Sequence, residues 1–99
     1  MTTSDIAGLR SFLGGYFHED WEMDASEPDE VIAQFLRSRP SRDEIDRIIA
    51  QIGRYLGEKN DAVIERGLFE ELDCYYLPTA DDMSARNWLK HVVDLLNKG

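Results

Sequence analysis

The stretch that decides the fold is Ser41-Arg42-Asp43-Glu44-Ile45-Asp46-Arg47-Ile48-Ile49-Ala50-Gln51-Ile52-Gly53-Arg54-Tyr55-Leu56-Gly57. Ile45, Ile48, Ile49, Ile52, Tyr55 and Leu56 recur at helical spacing, so they share one face, and charged residues occupy the others. Ser41 to Glu44 reads as a capping box, in which the serine oxygen accepts from the amide three residues on and the glutamate reaches back. Gly57 marks the end of this helix.

Working outward, the same pattern recurs on both sides. Upstream, Ser26-Glu27-Pro28-Asp29-Glu30 reads as a helix start with proline in the first turn, and Val31, Ile32, Phe35 and Leu36 form its buried stripe. Arg37-Ser38-Arg39-Pro40 ends that helix. Further upstream, Ser4 and Asp5 open a helix carrying Ile6, Leu9, Phe12 and Leu13, and Gly14-Gly15 is expected to end it in the left-handed conformation. Downstream, Asn60 or Asp61 starts a helix with Val63, Ile64, Leu68, Phe69 and Leu72 on its apolar face. Gly67 inside it points to a close approach by a neighbour. An aromatic loop, Cys74-Tyr75-Tyr76-Leu77-Pro78, precedes a last helix that begins near Asp82 or Ser84 and carries Met83, Trp88, Leu89, Val92, Val93 and Leu96.

No stretch alternates with period two long enough to make a strand. The expectation is an all-α, single-domain bundle of about five short helices spanning residues 1–99, the size of one ordinary domain.

Charge narrows the function. Twenty Asp and Glu against eleven Lys and Arg leave a net charge of −9. That balance argues against nucleic acid and anionic membrane as partners. Carboxylates also gather: residues 19–30 hold seven acids, residues 70–82 hold five, and neither segment has a basic residue. If the two segments meet in space, they form an acidic face interleaved with Tyr16, Trp21, Tyr75 and Tyr76, suited to a basic protein partner; the alternative for these four rings is a place in the core.

The parts of a catalytic site are missing. His18 sits among Glu19, Asp20 and Asp24, but a lone histidine with carboxylates turning in all directions has no metal-ligand spacing. It reads instead as a folding device that bonds a carboxylate or backbone group. His91 reads as a helix-surface residue. Cys74, the only cysteine, permits no intrachain disulfide and reads as a small buried group in a chain that stays in the cytoplasm. Gly14-Gly15 lacks the lysine and spacing of a phosphate loop. The N-terminus shows no signal-peptide pattern, and no apolar run approaches a membrane span. Neither a cofactor nor a metal is expected.

At Gly14-Gly15-Tyr16-Phe17-His18-Glu19-Asp20-Trp21 the chain resembles the small helical immunity proteins of bacterial contact-dependent growth inhibition systems. The resemblance continues through Asp29-Glu30-Val31-Ile32, the Cys74-Tyr75-Tyr76 loop with Pro78, and Ser84-Ala85-Arg86-Asn87-Trp88-Leu89, with Leu77 a local departure. It implies a cytoplasmic, non-enzymatic protein, a monomer or weak dimer when free. Its partner would be the toxic C-terminal domain of a cognate effector, often a basic nuclease. The resemblance transfers no contact residues. On chemistry alone, Glu19, Asp20, Trp21, Glu22, Asp24, Tyr76, Asp81 and Asp82 are the expected partner-binding residues. The alternative is an acidic helical adaptor or regulator of some other basic protein.

Overall fold

The computed structural model describes residues 7–98, the side chains of Asp24 and Ala80 excepted. The chain runs through α1 (Ala7–Tyr16), α2 (Trp21–Asp24), α3 (Pro28–Arg37), α4 (Arg42–Glu58), α5 (Asp61–Glu70), a 3-10 turn at Pro78–Asp81, and α6 (Ala85–Lys98). No strand occurs among the described residues, so the fold is all-α. The sixth helix relative to expectation is α2, a single turn inside the aromatic-acidic segment. The expected start of the first helix, Ser4-Asp5-Ile6, lies outside the described residues.

The stripe on α4 is buried as its spacing requires: Ile45, Ile48, Ile52 and Tyr55 are in the core, with Ile49 and Leu56 packed at its edge. The Ser41 hydroxyl accepts from the Glu44 amide at 3.0 Å. Asn60 caps α5 in the same way, accepting from the Val63 amide at 2.9 Å. Two other helices are capped from neighbouring helices. Gln51 on α4 accepts the Leu9 amide in the first turn of α1, and Glu65 on α5 accepts the Ala85 amide that opens α6. Such side-chain acceptors satisfy helix N-terminal amides that have no partner within their own helix.

The glycine doublet departs from expectation. Gly14 and Gly15 lie within α1, and neither has a positive φ. Their helix continues to Tyr16, and the Phe17 amide still reaches the Leu13 carbonyl. Gly14 serves proximity instead: a Cβ there would come within 3.2 Å of the Asp73 Cβ. The left-handed positions belong to Arg39, Asp73 and Asp82, each at a chain reversal. Gly67 meets its expectation, because a Cβ there would strike the Tyr55 hydroxyl. Phe69 does not, since it stands 46% exposed on α5, stacked edge-on against Tyr75.

α6 is the hub, packing on α3, α4 and α5. Its Trp88 ring centres an aromatic cluster with Phe17 and Tyr76 at centroid distances of 5.2 and 5.1 Å. No helix among the described residues is long and apolar enough to cross a membrane.

Candidate partner-binding face

The segment after α1 folds around its aromatics. Phe17 is fully buried, and the chain then turns through His18, whose Nδ1 accepts the Asp20 amide at 3.1 Å. That bond is the folding role expected of His18, and it leads directly into α2. Trp21, the first residue of α2, stacks edge-on against Phe17 at 5.7 Å and Tyr76 at 5.6 Å. A backbone bond from the Tyr75 amide to the Phe17 carbonyl, 2.8 Å, ties the loop before the 3-10 turn to the turn after α1. The two acidic segments therefore do meet.

Where they meet there is a cleft of about 400 Å³, lined by Trp21, Glu22, Ser26, Glu27, Pro28, Tyr75, Tyr76, Leu77 and Asp81. Trp21 and Tyr76, expected among the partner-binding residues with the core as the alternative, are core residues at 7% and 5% exposure that also line the cleft. Burial follows from their place beside Phe17 and Trp88, where a large ring adds more to the core than to the surface. The exposed apolar groups around the cleft are Tyr75 and Leu77, with Met23 nearby on α2. Tyr75 is already expected among the aromatics of the acidic face, whereas Leu77 stands out only as a departure in the loop, because irregular chain carries no periodicity to say which way it faces.

Of the expected acidic residues, Glu19, Asp20, Glu22, Asp81 and Asp82 are exposed, and Glu22 and Asp81 line the cleft. The side chain of Asp24 lies outside what the structure describes. Glu27, not among the expected contacts, joins the lining. Asp81 also has a structural task, accepting the Tyr76 hydroxyl at 2.6 Å. Burial, then that bond and the Asp81 charge, hold the Tyr76 hydroxyl far above the ordinary phenol range, with Asp29 adding to the negative field.

Some carboxylates of the acidic run serve the fold alone. Glu30 accepts from both the amide and hydroxyl of Ser26, and these bonds lower its pKa. Asp29 pairs with His91 at 2.9 Å, joining α3 to α6. Both also sit in the first turn of α3, where the helix dipole favours negative charge.

Behind this face lies a free, buried thiol, that of Cys74. Burial pushes the Cys74 thiol up to about 12, so it stays protonated, and its Sγ lies 3.6 Å from the Tyr76 carbonyl. Among the described residues, no group of three His, Cys, Asp or Glu converges to hold a metal ion. A larger cleft of about 590 Å³ between α1, α3 and α4 has aromatic walls at Phe12, Tyr16 and Phe35. Its rim mixes Arg39 and Arg47 with Asp43 and Glu44, so it presents no field of one sign.

No curated protein matches the chain. A solved chain in the crystal structure of a CdiA-CT/CdiI complex from Y. kristensenii superposes with a TM-score of 0.83 at 26% identity, covering 93% of this chain and 98% of that one. The sequence model of the CdiI immunity protein family matches residues 5–96. With nearly its whole length matched in sequence, this chain belongs to the CdiI immunity protein family.

Proposed function

We propose that this protein binds the toxic C-terminal domain of a cognate contact-dependent growth inhibition effector, one to one, and neutralises it by occupancy. The observation that carries this reading is the match to the CdiI immunity family over residues 5–96. The similar chain from Y. kristensenii comes from a CdiA-CT/CdiI complex, which supports a toxin domain as the partner.

The docking face in this reading is the lobe where residues 19–30 meet residues 70–82. Support comes from the cleft's lining, which holds Glu22, Glu27 and Asp81 and no basic residue. A toxin that cleaves nucleic acid must attract phosphate, so it offers a basic surface, and the carboxylates steer and hold that surface. Neutralisation happens in the cytoplasm, where such a toxin meets its substrate. No reaction by this chain is required: Cys74 is a protonated, buried thiol and the His18 ring is engaged by the backbone.

The test is co-production with the toxin domain of the cognate effector. Growth should be restored, and the two proteins should co-purify as a one-to-one complex. Continued growth arrest despite soluble, folded immunity protein would sink the reading.

A further inference from the structure

The carboxylates of this molecule divide into two kinds. Asp29, Asp61 and Asp73 are each paired within the molecule, with His91, Arg86 and Arg10. Glu22 and Glu27 have no cationic partner among the described residues, yet both face the same space. Two like charges lining one space repel, and no ion pair within the described residues offsets that repulsion.

The walls they crown are apolar. Trp21, Tyr76 and Pro28 line the cleft, and Tyr75 and Leu77, 46% and 53% exposed, line it with them. A space of about 400 Å³ has room for one long side chain entering from a partner. A ligand for this space needs an extended apolar stem to cover Leu77 and the rings, with positive charge at its tip. Arginine has that form: its planar guanidinium lies on aromatic surfaces and forks to carboxylates, whereas a lysine ammonium is compact and more strongly hydrated.

We propose that this cleft receives an arginine side chain projected by the toxin domain, with the guanidinium held by Glu22 and Glu27 and the stem packed against Tyr75 and Leu77. The inference rests on the function proposed above, since it names a contact within that complex.

The experiment is a double-mutant cycle between this protein and the toxin domain of its cognate effector. On this side the variant is Glu22→Gln with Glu27→Gln, which changes exposed, unpaired groups and should leave the melting temperature in place. On the other side, each surface arginine of the toxin domain is changed to alanine in turn. Expected is a loss of affinity of about tenfold or more from the glutamine pair. One toxin arginine should give a similar loss that adds little further in the combined complex, the mark of a direct contact.

Unchanged affinity in the glutamine variant, or additive losses for every arginine, overturns the cleft assignment while toxin binding itself stands. Failure of the unaltered protein to bind the toxin domain overturns both. If the free protein dimerises, and the glutamine pair abolishes the dimer without weakening toxin binding, the cleft belongs to a second copy and the arginine is refuted.

Discussion

Gly67 and Tyr55 show how one missing methyl group sets a helix distance. The Tyr55 hydroxyl crosses from α4 to donate to Glu71 Oε1 at 2.8 Å, passing directly over Gly67. Alanine at 67 would gain about 1 kcal/mol of helix propensity. It would also push a fully enclosed ring off its hydrogen bond, and overpacking of that kind costs about 1–3 kcal/mol before the lost bond is counted. Gly67→Ala is therefore expected to destabilise by about 1–2 kcal/mol in urea titration. Tyr55→Phe in the same chain should recover part of that loss, because it removes the obstructing oxygen. Cys74 gives a second check at this scale. Its thiol pKa is raised from 9.0 to about 12 by burial, so the folded state keeps a proton that the unfolded state releases. The contribution is intact below pH 9 and declines as pH climbs toward 12. Native protein should resist a thiol reagent at pH 8 and react only on unfolding; rapid labelling of the native state would contradict the burial. Gly67 was legible in the sequence because a glycine inside a helical stripe needs a reason. The burial of Trp21 and Tyr76 was not, since a ring in an irregular segment carries no periodicity to say which way it faces.

Helices here depend on one another at their ends. Arg86, in the first turn of α6, donates to the Leu56 carbonyl through Nη1 and to the Lys59 carbonyl through Nη2, each at 2.9 Å, and pairs with Asp61. One side chain thus closes the C-terminus of α4 and the N-terminus of α5. Arg86→Ala should cost about 2 kcal/mol, the worth of charge-assisted bonds to carbonyls that would otherwise go unmet. Arg86→Lys should recover less than half, because an ammonium cannot span both oxygens; equal stability of arginine and lysine proteins would refute the clamp. At this scale the sequence was most readable where local chemistry sufficed: the α4 stripe, the Ser41 and Asn60 caps, and Pro28 at the start of α3. It misled at Gly14-Gly15, where glycine's freedom in φ competes with its other property, small size. The close approach of Asp73 used the second, and nothing near residue 14 in the chain announces a neighbour 59 positions away.

For the molecule as a whole, the juxtaposition of residues 19–30 with residues 70–82 is the outcome that matters, and sequence alone could state it only as a condition. What satisfies the condition is the Trp88 cluster together with the bond from the Tyr75 amide to the Phe17 carbonyl. With the acids on one lobe, association with a basic toxin domain should slow as salt rises to physiological strength, where exposed charges are screened beyond roughly 8 Å. A rate flat across that range would exclude steering by carboxylates. Asp20→Lys combined with Glu22→Lys should weaken binding about thirtyfold or more at unchanged stability, the scale of a hot spot. Unaltered affinity would move the interface elsewhere.

The tie between Tyr75 and Phe17 also bears on how such a protein diverges. The loop's backbone and the buried rings of Phe17, Trp21, Tyr76 and Trp88 hold the two acidic stretches together, so the outward groups on Tyr75, Leu77, Glu22 and Glu27 can be exchanged without asking the interior to adjust. A lineage facing a changed toxin can retune its grip at a few lip positions while the rings beneath stay as they are, and recognition can drift faster than architecture.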